Sequence, residues 1–327
     1  MKNTVTAVLA GAAMMMSVQS AKALDEITVA YFLEWPMPFQ AAKVAGTYDE
    51  ALGVKVNWVS FDTGTAMSAA MASGDVHLSV SQGVPPFVVA VSGGQDLQIV
   101  DVAVSYAEND NCVVAETLEI DKTNAKELEG KKVGVPLGTA AHYGFLKQMS
   151  HFGVDIGTMD IVNMAPPDGA AAFSQGQLDM VCGWGGALRR MLEHGNVLLT
   201  GDEKTELGIL VFDVTSAPAS FAAENPDLVS KFLKVTADAN AKWNSGDHSD
   251  LAAIAKDAGM DEAATAETIG TFVFPTIEDQ LSSKWLGGAA QEFMKGVADV
   301  FVEAGSIDSA LSSYEQAVNT GPLDAAK

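Results

Sequence analysis

Three short segments place glycine beside hydroxyl or amide side chains where a helix should begin: Asp62-Thr63-Gly64-Thr65, Ser81-Gln82-Gly83 and Leu137-Gly138-Thr139-Ala140. The first N–H groups of a helix have no partner inside it, and the helix dipole makes that end positive. Such a segment can hold an anion without a basic side chain. This matters because the only arginines in the chain are Arg189 and Arg190. Each segment alone reads more simply as an ordinary capped helix start; three at strand ends of facing lobes argue more strongly for an anion cradle. Carboxylates crowd the same stretches: Glu34, Glu108, Asp110 and Asp213, with Trp35 and Trp184 nearby. A carboxylate beside aromatic faces attracts a cation. Glu108 and Asp110 also suit a solvated hinge, and the two tryptophans also suit a core. Glu34, next to Trp35, and Asp213, inside an apolar run, would need a partner if buried. An anion site facing a cation site selects a small zwitterion.

Catalysis has less to work with. The sequence contains no G-x-S-x-G, no P-loop and no complete dinucleotide fingerprint. Asp179 and Glu193 could pair as acid and base, but nothing supplies a nucleophile. His77, His142, His151, His194 and His248 are scattered, and Cys112 and Cys182 are the only cysteines. No H-E-x-x-H or C-x-x-C spacing occurs, so neither a metal nor a cofactor is expected. The formal charge of −23 disfavours nucleic acid and anionic lipid, which attract basic surfaces.

Lys2, the apolar stretch Val5 to Val18, and Ala21-Lys22-Ala23 read as a signal peptide cleaved after Ala23. The alternative is a buried N-terminal helix. The apolar run is too short for a permanent membrane span, and no cysteine near the cut offers a lipid anchor. A soluble protein is expected, periplasmic in a cell with two membranes.

The elements that must position these residues alternate. Strands are expected at Ile27 to Phe32, Val54 to Phe61, Val76 to Val80 and Gln98 to Val104, with helices at 38–52 and 66–73. The pattern restarts with strands near Cys112 to Ala115, Lys132 to Val135, Met159 to Met164 and Leu178 to Gly183, and helices at 140–152 and 187–194. After strands near 197–199 and 209–215, helices are expected at 227–244, 249–258, 262–272, 279–304 and 307–320. Two successive βα units predict an α/β protein of two lobes, with ligands at the carboxyl ends of the strands.

ITVAYF (27–32), NWVSFDTG (57–64), MSAAMASGDV (67–76), VGVPLGTAAHYGFL (133–146), IVNMAPPDGAAAFSQGQLDMVCGW (161–184) and FDV (212–214) together resemble the taurine-type periplasmic solute-binding proteins, relatives of the alkanesulfonate and nitrate binders. The resemblance spans most of residues 26–235 and thins in the tail. It implies a two-lobed type II periplasmic-binding-protein fold with the ligand cleft between lobes. Residues 24–107 and 213–327 would form one lobe and 108–212 the other. It implies a monomer that delivers ligand to an ABC permease in the inner membrane. The sulfonate would lie against Ser81, Gln82, Gly83, Thr139 and Ala140, and the ammonium would face Asp213, with Glu34 and Asp110 as further choices. Trp35 and Trp184 would line the pocket, and Thr63 and His142 complete the expected ligand-binding set. The chain departs from the family at Leu33-Glu34-Trp35-Pro36-Met37-Pro38, which is bulkier, and at Gly185-Gly186, where Ala-Pro is usual. The family arrangement also sets Cys112 and Cys182 on antiparallel neighbours. They would bond if directly opposite, whereas a slip of one residue would send them to opposite faces. Taurine is the leading ligand. The alternatives are another sulfonate, a compact zwitterion such as hypotaurine or a betaine, or a pyrimidine-type binder or enzyme using Cys182.

Overall fold

Ten strands alternate with helices in a computed structural model that describes residues 24–209 and 211–327. The expected signal peptide, 1–23, lies outside the described residues. The strands are β1 (Glu26–Tyr31), β2 (Lys55–Ser60), β3 (Leu78–Gly83), β4 (Leu97–Tyr106), β5 (Asp110–Ala115), β6 (Lys132–Val135), β7 (Asp160–Asn163), β8 (Met180–Trp184), β9 (Gly195–Val197) and β10 (Val211–Pro218). They form two five-stranded sheets, in the orders β2-β1-β3-β10-β4 and β7-β6-β8-β5-β9. Among the described residues no helix is long and apolar enough to cross a membrane.

The chain passes from the first sheet to the second between β4 and β5 and returns into β10. Both crossover strands run against their neighbours: β10 is antiparallel to β3 and β4, and β5 to β8 and β9. A reversed strand starts where its neighbours end. Asp213 therefore pairs with Gly83 and Val104, and Asp110 pairs with Trp184, so each aspartate sits at the carboxyl end of its own sheet. This topology brings two acids, far apart in sequence, to one cleft.

Local signals explain the helices that border the cleft. Thr63 caps helix Gly64–Ser73 by accepting from the Ala66 N–H at 3.2 Å, and Gly74 (φ 84°) ends it. Thr139 caps helix Ala140–Phe152 in the same way through the His142 N–H. Helix Val84–Ser92 carries its prolines in the first turn, where no N–H is needed. Elsewhere the helical expectations were too generous. The stretch 38–52 is divided at Gly46 (φ 73°) into Phe39–Val44 and Thr47–Leu52. The stretch 279–304 is interrupted between Ile277–Leu281 and Ala289–Glu303. At 307–320 only the short 3₁₀ turn Glu315–Ala317 is helical. That stretch is rich in serine, a weak helix former. Val318 pairs with Ile99 on β4 instead, and the buried Tyr314 hydrogen-bonds through its hydroxyl to Ser92.

Cys112 and Cys182 lie directly opposite on β5 and β8 and form a disulfide. The aligned register, rather than the slipped one, holds. Both residues are buried, and the thiol that an enzymatic reading would have used at Cys182 is taken up in the bond.

Candidate functional site

A cavity of about 290 Å³ lies between the sheets. Phe32, Trp35, Gly64, Gly83, Pro86, Tyr106 and Asp213 line it from the first-sheet lobe, and Asp110, Thr139, Ala140 and Trp184 from the second.

Its acidic wall is built in two ways. Asp213 is 3% exposed and fully engaged: Ser81 donates to Oδ2 at 2.7 Å and the Tyr106 hydroxyl to Oδ1 at 2.8 Å. Ser81 Oγ in turn accepts from the Trp35 indole N–H at 2.8 Å. The chain of bonds from Trp35 through Ser81 locks the carboxylate in one orientation. Asp110 is equally buried, yet its Oδ2 has no hydrogen-bond partner. Burial pushes both aspartates up to about 7, and Asp110 adds repulsion at Asp213. Lys204, buried beside them, donates to the Asp110 carbonyl rather than to its carboxylate. Burial lowers the Lys204 ammonium, while Asp110 and Glu108 pull it back up. A buried carboxylate oxygen without a donor is costly, and either a proton or a cation would offset that cost.

Helix starts also border the cavity, close to the two aspartates. Helices Gly64–Ser73 and Ala140–Phe152 come from different lobes and meet at the cavity. A Cβ placed on Gly138 would lie 3.3 Å from Thr65 Cγ2. Two positive helix ends converge there, which favours an anion. Phe32, Trp35, Tyr106 and Trp184 supply the aromatic lining.

Seven residues of the expected ligand set thus meet at one cavity: Trp35, Gly83, Asp110, Thr139, Ala140, Trp184 and Asp213. The other five do not line it. Ser81 stands behind Asp213 with its hydroxyl already used. Gln82 is spent inside the lobe, donating to Gly64 O at 2.7 Å and to Ser68, and accepting from Ser216. It holds the helix start in place instead of touching the cavity. Thr63 is consumed as a cap, and the lining passes to Gly64. His142 turns away to stack on Phe301 and accepts from the Gly138 N–H, and burial lowers it to about 4. Glu34 points outward into a bidentate pair with Arg190, at 2.5 and 3.0 Å. Phe32, Pro86 and Tyr106 were missed. Tyr106 ends β4 just before the crossover, the position that could have flagged it.

Glu34 has a different task. Its backbone takes a left-handed conformation (φ 53°), and its carbonyl accepts from the Gly186 N–H at 3.1 Å across the cleft. Gly185 (φ 56°) lets the two segments touch: a Cβ there would lie 2.4 Å from Glu34 O. The bulky 33–38 loop and the Gly185-Gly186 pair therefore fit together at one contact between lobes. Both arginines of the chain reinforce it, Arg190 on Glu34 and Arg189 on Glu267. Gly185→Ala should hold the lobes apart. The left-handed backbone alone costs about 1–2 kcal/mol with a Cβ, so ligand affinity should fall about tenfold or more. Small-angle scattering should show no contraction on adding ligand. A variant that binds and contracts like the parent protein would show that this contact is not needed for closure.

The paired lobes, the two crossings and the interlobe cavity define the two-lobed type II periplasmic-binding-protein fold. The structure overlays on the periplasmic aliphatic sulphonate binding protein of Escherichia coli (TM-score 0.70, 21% identity, 90% of this chain and 92% of that one). It also overlays on the alkanesulfonate-binding protein of Xanthomonas axonopodis pv. citri bound to MOPS (TM-score 0.74, 17% identity, 92% and 100%). The family described as NMT1/THI5 like matches residues 36–243, and the chain belongs to it. Over 300 residues it is 26% identical to the taurine-binding periplasmic protein of Escherichia coli strain K12, covering 90% of this chain and 91% of that protein.

Proposed function

We propose that this protein is the solute-binding component of an ABC importer and that its ligand is taurine. One observation carries the reading: a small interlobe cavity sets two buried carboxylates, one with an unpartnered oxygen, beside two helix starts. Taurine has the matching ends, a sulfonate for the N–H groups near Gly64, Thr139 and Ala140 and an ammonium for Asp110 and Asp213. The similarity to the taurine-binding protein of Escherichia coli supports the same ligand. On this reading residues 1–23 direct export, and the mature chain is a periplasmic monomer that meets an inner-membrane permease. Residues 24–107 and 213–327 move as one lobe and 108–212 as the other. The four aromatic rings around the cavity favour one second reading, a betaine-like zwitterion held by cation–π contacts. Calorimetry of the purified protein against taurine, hypotaurine, isethionate, glycine betaine and nitrate decides. Taurine and hypotaurine should bind well ahead of isethionate and nitrate. Tightest binding of glycine betaine would support the second reading, and tightest binding of isethionate or nitrate would refute both.

Proton linkage gives an independent check. In the free protein Asp110 and Asp213 keep protons up to about pH 7. A bound ammonium favours their ionised forms, so binding near neutrality should expel protons. Affinity should rise from pH 5.5 to 8 and then level off. The groups facing the pair are Ser81 and Tyr106, which donate to Asp213, and Lys204, which lies by Asp110; none of them reverses the sign. The same raised values mean that the folded protein holds more protons than the unfolded chain between about pH 4 and 7. Stability of the free protein should therefore fall as pH rises through that window. Calorimetry at several pH values, in buffers of different ionisation enthalpy, reads the proton release directly; flat affinity without release would count against an ammonium at this site.

A further inference from the structure

A second chamber of about 770 Å³ lies outside the inner cavity, lined by Leu33, Ser60, Phe61, Pro166 and Ala187 among others. Only two residues line both spaces, Phe32 and Trp184. Phe32 follows β1 and Trp184 ends β8, so the partition has one ring from each lobe. The rings meet edge to face, with centroids 6.0 Å apart and planes at 64°. Phe32 is buried among its own lobe's residues, whereas Trp184 is only half-buried and reaches across from the other lobe. These two rings are the lining that the inner and outer spaces share.

We infer that the Trp184–Phe32 partition sets the length of ligand this protein accepts, and that the outer chamber is a latent subsite for a substituent on the ligand nitrogen. The inference rests on the zwitterion reading of the inner cavity. The acidic wall includes Asp110, which pairs with Trp184 across β5 and β8. The end of the ligand that meets Asp110 therefore lies next to the partition, and a group added there runs into Trp184 and Phe32. The outer chamber offers Leu33, Phe61, Pro166 and Ala187 to an apolar substituent, carries Glu34 in its wall, and has an exposed rim of Leu33, Asp62, Pro167 and Gly259. Rejection of longer ligands is then steric, and removing a ring should relieve it.

The test compares taurine with 2-(cyclohexylamino)ethanesulfonate, which keeps the aminoethanesulfonate and adds one ring on nitrogen. Calorimetry is run on the parent protein, Trp184→Ala and Phe32→Ala, with Trp184→Leu as a milder cut should alanine unfold the chain. The parent should prefer taurine by about 100-fold or more, the discrimination a tight apolar wall achieves. Each variant should bring the two ligands within about tenfold, through weaker taurine binding and gained binding of the larger ligand. An unchanged preference in variants that still bind taurine overturns the inference alone. So does a parent protein that accepts both ligands equally. A parent that binds neither refutes the reading of the inner cavity, and this inference with it.

Discussion

Asp110→Asn should weaken taurine binding by about 2–5 kcal/mol, the usual loss when one partner of a buried charge pair is removed, while changing isethionate much less. Isethionate carries a hydroxyl where taurine carries an ammonium, so the difference isolates the charge contact. The unpartnered Oδ2 of Asp110 makes it the acid with most to gain from a cation. Asp213→Asn should also lose taurine selectively, but with a second effect. Both Asp213 oxygens accept hydrogen bonds, from Ser81 and Tyr106. An amide nitrogen in place of one oxygen would face a hydroxyl that now donates. That variant should therefore lose stability without any ligand, whereas Asp110→Asn should keep or gain it, because it removes a buried acid lacking a full set of partners. Thermal melting of the two free variants separates these roles before any titration. Equal losses for taurine and isethionate in both variants would show that neither aspartate reads the ammonium.

Removing the disulfide, as Cys112→Ala with Cys182→Ala, should destabilise the second-sheet lobe by about 4 kcal/mol, the chain-entropy value for a long closed loop. The bond ties positions 70 residues apart, and the loop between them contains β6, β7 and the helices around them. It also joins the crossover strand to β8, the two strands whose ends carry Asp110 and Trp184. Urea unfolding should show an earlier transition in the double variant, and the parent protein with reductant should behave alike. Ligand binding at low urea should persist, since neither cysteine lines the cavity. Unchanged unfolding would mean that the unfolded chain is already restricted at this loop.

Much of the fold was legible because local chemistry specifies it. The restart of strand and helix after Val104 marks the second sheet, and the caps at Thr63 and Thr139 stand where hydroxyls precede the helix starts. The tail was less legible. Its serine-rich end follows no helical rule strictly, and its course depends on Val318 reaching Ile99, a contact that sequence distance hides.

By itself the sequence determined the α/β alternation, the acidic character and the shortage of arginine, and so the expectation that any bound anion is met without a basic side chain. It also brought seven of the eventual lining residues into view, because strand ends and helix starts are local signals. Only the tertiary structure decided which polar groups remain free for a ligand. Ser81, Gln82 and Thr63 have the right chemistry, but their hydrogen-bonding capacity is consumed by Asp213, the Gly64 loop and a helix end. Glu34 is claimed by Arg190, and His142 is drawn away by Phe301. Asp110, which reads as a solvated hinge acid, is left buried with an open oxygen because β5 runs antiparallel to β8. Residue type states what a side chain can do; which neighbours have already satisfied it is a property of the packed chain.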